Sequence, residues 1–163
     1  MNVVNITLAN LAATASLGAT IGASLRPGDR ILLAGDLGSG KTTLARSIGA
    51  ALHAEPELTS PTFILVSEHR GDLPIWHVDA YRLPLGSDPF RAGIIDERQQ
   101  DGVTLIEWPE HLDGIGVGDP DVLQIHLATT DIEGARTAAI RGARPEILAA
   151  IQLSMDSAGG IHA

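Results

Sequence analysis

Short apolar runs punctuate the chain, and their spacing separates helices from strands. Residues 3–8 are β-prone. Asn10 can cap a helix running to about Leu25, with Leu11, Ala15, Gly18, Ile21, Gly22 and Leu25 on one stripe. Arg26-Pro27-Gly28-Asp29 then stops it. Residues 30–34 form a short apolar run, followed by a glycine-rich turn and a second helix over about 41–53. Residues 63–68 and 75–81 flank His69-Arg70-Gly71-Asp72-Leu73-Pro74, which reads as a hairpin with a longer loop. Residues 103–106 are continuously apolar, as in a strand covered on both faces. Further strands are expected over 122–128 and 136–141, joined around 131–134, and Pro145 opens a helix to about Leu153. Helices mixed with both kinds of strand predict a three-layer α/β sheet. With no repeat, low-complexity tract or dividing linker, 1–155 is expected to be a single domain. Residues 156–163 are expected to form a flexible C-terminal tail, in which Ser157-Ala158-Gly159-Gly160 should fray.

Composition narrows the chemistry. The 163 residues contain no Cys, which excludes disulfide frameworks, thiolate zinc sites and a cysteine nucleophile. Eleven basic against 20 acidic residues give a net charge of −9, a poor balance for gripping a nucleic-acid backbone directly. No apolar run approaches a membrane span and the start has neither a positive nor an apolar leader region, so a cytoplasmic protein is expected. The six histidines show no metal-ligand spacing.

Gly35-Asp36-Leu37-Gly38-Ser39-Gly40-Lys41-Thr42 satisfies G-x-x-x-x-G-K-[ST]. The glycines let the backbone curl so that consecutive N–H groups point into one concavity. The helix opening near Lys41 adds partial positive charge. Lys41 supplies a full charge for β- and γ-phosphates, and the Thr42 hydroxyl can ligate Mg²⁺. The motif follows an apolar strand and opens a helix with Leu44 and Ile48 facing in, and Lys41 is the only lysine of the chain. A nucleoside triphosphate is the implied ligand.

Such a site needs an acid near the metal and a group to orient a nucleophile. Glu107 follows the buried run 103–106, where a carboxylate projects beyond a strand's carboxyl end toward phosphates. Asp79 is the second acid, and alternation puts His77, Asp79 and Tyr81 on one face. Spacing alone leaves open whether Asp79 handles water or merely faces solvent. Thr62, in Thr59-Ser60-Pro61-Thr62, sits where a γ-phosphate-sensing segment is expected, although a plain Ser-Pro turn fits as well.

The ordered set Gly35 to Thr43, Ser60-Pro61-Thr62, His77-Val78-Asp79-Ala80-Tyr81-Arg82-Leu83 and Leu105-Ile106-Glu107-Trp108-Pro109 resembles the TsaE (YjeE-type) family over about residues 1–140. These are small bacterial ATPases required for threonylcarbamoyladenosine in tRNA. The resemblance implies a three-layer P-loop NTPase-like fold, with a parallel core, antiparallel marginal strands and helices on both sides. It implies weak, Mg²⁺-dependent ATP hydrolysis in support of TsaB- and TsaD-like proteins, with tRNA engaged only indirectly. By motif position, Asp36, Leu37, Gly38, Ser39, Gly40, Lys41, Thr42 and Thr43 would cradle ATP. Thr42 and Glu107 would carry Mg²⁺, Asp79 would be the hydrolytic residue, Thr62 would sense nucleotide and Trp108 would lie beside the site. The N-terminal segment and late hairpin would complete the pocket, which places Asn10 and Arg136 near the base.

Three other readings compete. A small P-loop kinase would need an Arg-rich lid, yet 83–102 holds only Arg91 and Arg98. A GTPase would resemble N-K-x-D, yet neither Asn nor Lys follows residue 41. A non-catalytic regulator switched by ATP differs from an ATPase only in phosphate release.

Overall fold

The computed structural model describes residues 2–61, 64–142 and 144–158. Its centre is a seven-stranded mixed sheet in the order β1-β7-β6-β2-β5-β4-β3. The strands are β1 (Val3–Leu8), β2 (Arg30–Ala34), β3 (Val66–His69), β4 (Ile75–Asp79), β5 (Val103–Glu107), β6 (Leu123–Thr129) and β7 (Arg136–Arg141). The four central strands β6, β2, β5 and β4 run parallel, whereas β7 and β1 on one side and β3 on the other are antiparallel to their neighbours. All five residues of β5 are buried, as its unbroken apolar run requires. The expected strand start at Phe63 lies outside the described residues, as do Gly159 and Gly160 of the tail.

One face of the sheet is covered by α1 (Leu11–Ser24), α2 (Lys41–Ala51) and α3 (Pro145–Ser157), whose buried side chains share a core with Ile31, Leu33, Leu105 and Ile125. Asn10 caps α1 as expected, but the buried stripe is Thr14, Leu17, Gly18, Ile21 and Gly22, while Leu11 is exposed and Ala15 faces outward. Gly18, Ile21 and Gly22 keep their expected places and Leu25 packs partly on the core, so the difference lies in the first turns, and the small residues let α1 meet α2 closely. A Cβ on Gly18 would strike Ser47, and one on Gly22 would stand 2.6 Å from the Ala51 Cβ. Helix α3 extends to Ser157, four residues past its expected end, because Met155 is buried in the same core.

The opposite face differs from the expectation of helices on both sides. Leu32, Val78 and Ile106 are covered there by Ile94, Ile95, Leu112 and Ile115, carried on bends and irregular chain next to two 3-10 helices (Glu97–Asp101 and Pro109–His111). Buried Gln99 pins this cover, donating to the Ile94 carbonyl at 2.7 Å and accepting from the Thr104 hydroxyl at 3.1 Å. The third layer exists, built of turns instead of α-helix.

Candidate functional site

The carboxyl ends of β2, β4 and β5 converge on the amino end of α2. Register pairs Leu33 with Glu107 and Asp79 with Glu107, so the two acids end neighbouring parallel strands. Both share strand parity with Ile75, Val103 and Leu105, whose side chains pack on the helix-covered face, which brings them to the side of α2.

The loop between β2 and α2 curls because its glycines permit it. Gly38 and Gly40 have φ of 79° and 102°, and at Gly35 a Cβ would strike the Leu127 carbonyl. Gly40 occupies the helix cap without a side chain, and the first N–H groups of α2 have no acceptor one turn back. Those dipoles face a cavity of about 470 Å³, within the usual range for small-molecule sites. Ser39, also on its wall, is 1% exposed, and its hydroxyl has no hydrogen-bond partner among the described residues.

Lys41 is 5% exposed. Its ammonium donates to the carbonyls of Gly35 at 2.7 Å and Asp36 at 2.9 Å, and lies 4.1 Å from the centre of the Trp108 ring. Burial pulls its pKa below the ordinary lysine value, while the carboxylates of Glu107, Glu110, Asp79 and Asp36 oppose that shift. Trp108 itself adopts a left-handed backbone (φ 58°, ψ 50°), a conformation that costs a bulky L-residue roughly 1–2 kcal/mol. Its ring centre stands 4.8 Å from that of Tyr81 and 6.0 Å from that of His111.

Glu107, 2% exposed, accepts the Thr42 hydroxyl on Oε1 at 2.7 Å and pairs through Oε2 with His77 Nε2 at 3.0 Å. Because Thr42 spends its proton on Glu107, its oxygen lone pairs remain for a cation. No group of three or more His, Asp or Glu among the described residues could hold a metal unaided. Magnesium does not need one, since it binds through one or two protein oxygens together with phosphates and water. The donor set therefore fits a magnesium-bearing phosphate ligand: an ammonium, an orphaned buried hydroxyl, free helix-end N–H groups, and a Thr–Glu oxygen pair. Asp79 lines the same cavity, with Oδ1 accepting from the Tyr81 N–H at 3.0 Å.

Leu37, Gly38, Ser39, Gly40, Thr43, Ser60 and Arg136 also line the cavity. Arg136 reaches across from β7 to donate to the Gly38 carbonyl at 3.2 Å. Asp36 contributes its carbonyl to Lys41. Asn10 is placed differently from the base contact expected of it. Its side chain accepts from the Ala13 N–H at 2.9 Å and serves as the cap of α1, while Leu11 and Thr14 of that helix line the cavity. Thr62 lies outside the described residues. His77, read from the sequence as one of six unremarkable histidines, proves fully buried against Glu107. Its shared strand face with Asp79 was the available signal.

A mixed sheet with a parallel core, and a G-x-x-x-x-G-K-[ST] turn joining its central strand to a helix beneath two strand-end acids, defines the class of α/β protein to which this chain belongs. Residues 8–138 match the model of the family described as threonylcarbamoyl adenosine biosynthesis protein TsaE, and the chain belongs to that family. It is 43% identical over 97 residues to the tRNA threonylcarbamoyladenosine biosynthesis protein TsaE of Streptomyces coelicolor, covering 58% of this chain and 66% of that protein. The Nostoc sp. protein of the same name is 39% identical over 114 residues, covering 66% and 68%. The chain thus spans about two thirds of the length of these relatives. The crystal structure of Bacillus subtilis YdiB superposes with a TM-score of 0.66 and 25% identity, over 96% of each chain. No helix among the described residues is long and apolar enough to cross a membrane.

Proposed function

We propose that the chain binds ATP with magnesium in the cavity between β2, α2 and the acid-bearing strand ends, hydrolyses it slowly, and thereby supports threonylcarbamoyladenosine formation on tRNA with TsaB- and TsaD-like proteins. The observation that carries the nucleotide reading is the convergence of Lys41, Thr42 and Glu107 on one glycine-walled cavity. The tRNA role and the partners rest on family membership.

In this reading the first-turn N–H groups of α2 and the Ser39 hydroxyl receive phosphate oxygens, and Lys41 exchanges its carbonyl partners for them. Thr42 and Glu107 hold the magnesium ion, which would neutralise charge developing on the phosphates. Asp79, half-buried at the cavity wall with Oδ1 already fixed by Tyr81, keeps Oδ2 to orient a water. Leu8, Leu11, Thr14 and Leu127 supply an apolar end suited to the base, with Arg136 at its edge.

The net charge of −9 repels a free nucleotide at a distance, so the magnesium complex is the ligand and protein subunits, not tRNA, are the direct partners. The test is reconstitution of tRNA modification with TsaB- and TsaD-like proteins, reading phosphate release and modified adenosine together. Wild-type protein is expected to sustain repeated cycles, and Lys41→Ala, Asp79→Ala and Glu107→Ala to lose them. Full stimulation by Lys41→Ala would remove ATP from the account. Phosphate appearing on an added small acceptor would turn it toward a kinase.

A further inference from the structure

His77 sits on β4, two residues before Asp79, and none of its surface reaches solvent. Its only described partner is Glu107, through Nε2, while Nδ1 is buried with no partner among the described residues. A carboxylate can only accept, and Oε1 already accepts from Thr42. The 3.0 Å contact at Oε2 therefore requires a proton on Nε2. A neutral ring then leaves Nδ1 as an orphaned acceptor, a lesser penalty than an orphaned donor. Of roughly four acceptor positions on the Glu107 carboxylate, the imidazole and the hydroxyl fill two, and two remain.

We propose that His77 is a positioning residue for Glu107: its Nε2–H holds Oε2 so that Oε1 stays on the Thr42 hydroxyl and the carboxylate's remaining acceptor positions face the cation side of the cavity. Without that donor, the buried carboxylate has one unpaired oxygen and swings free of Thr42 or takes up a proton. The inference rests on the magnesium–nucleotide reading above and extends it to a side chain that would not itself touch nucleotide or metal.

Two measurements test it. The first uses wild-type protein without nucleotide: ¹⁵N NMR of the imidazole at one fixed neutral pH. Nε2 protonated with Nδ1 bare is expected. The reverse tautomer, with a protonated Glu107 donating to a bare Nε2, would overturn the proposal. The second titrates magnesium at fixed ATP with His77→Leu and His77→Gln, whose amide nitrogen can restore a donor near the Nε2 position. The magnesium concentration needed for half-saturation should rise at least about 10-fold in His77→Leu, in line with outer-shell partners at other metal sites, and recover to within about threefold in His77→Gln. Nucleotide affinity in EDTA should match wild type in both, a result that general damage to the fold would not give. A His77→Leu protein with wild-type magnesium dependence would sink the positioning role alone. Wild-type protein that shows no magnesium-dependent nucleotide binding would instead overturn the function beneath it. Should His77→Leu fail to fold, His77→Phe, which keeps a ring but offers no donor, takes its place with the same expected rise in magnesium requirement, and an unchanged requirement overturns the positioning role.

Discussion

At the scale of single residues, the site concentrates groups that would be costly anywhere else. Lys41 is buried, Trp108 holds a left-handed backbone, Ser39 leaves a hydroxyl unpartnered, and Glu107 is a nearly inaccessible carboxylate. Each departs from local preference, and such departures gather where a site is held ready for a ligand. Asn10 is the contrasting case. Its oxygen is committed to the Ala13 N–H, so Asn10→Ala should lower stability by about 1 kcal/mol, as loss of a cap does, with ATP affinity within twofold of wild type. Urea unfolding and calorimetry read the two halves of that statement, and a large loss of affinity at unchanged stability would return Asn10 to the base pocket. Residue chemistry was partly legible in advance. The phosphate-loop pattern and Glu107 beyond the run 103–106 could be read directly, since spacing fixes them, whereas Asp79, expected inside a strand over 75–81, stands at the end of β4. The burial of His77 could not be read, because it depends on what packs over the face it shares with Ile75, a long-range fact absent from local alternation.

At the scale of elements, the closeness of α1 and α2 fixes the carboxyl half of α2, around Ser47, Ile48 and Ala51, against α1. Gly18 and Gly22 let the helices touch backbone to side chain, so Gly18→Ala must push Ser47 or the helix itself aside. Overpacking of this kind typically costs about 1–3 kcal/mol. The expected outcome is a lower urea midpoint, and an unchanged midpoint would contradict the packing described. The expected stripe on α1 held at Gly18, Ile21 and Gly22 and failed in the first turns, where Thr14 and Leu17 face in instead of Leu11 and Ala15. The cover on the second sheet face was illegible. Residues 83–102 and 108–122 carry Gly and Pro too often for a helical period, and their few large apolar side chains work singly from turns.

At the scale of the whole molecule, a parallel core with antiparallel margins aims three strand ends and one helix end at the same cavity. Most of this architecture was legible, since each strand run and both glycine-loop neighbours were marked by composition. Strand order was not, because it is set by crossovers spanning many residues. The excess of acidic residues acts on the same scale. It opposes a polyphosphate from afar, leaving attraction to the cation and the local amides. Removing magnesium with EDTA should therefore weaken ATP binding by at least about 10-fold, several charge-assisted contacts being lost together. Equal affinities with and without magnesium would contradict this division of labour.

The most direct measurement is calorimetric titration of ATP with magnesium into wild-type protein and into Lys41→Ala, with circular dichroism confirming that both are folded. Saturable one-to-one binding by wild type is predicted, with affinity reduced about 10- to 100-fold or more in the variant, the worth of a charge-assisted phosphate contact. Indistinguishable affinities in two folded proteins would contradict the account.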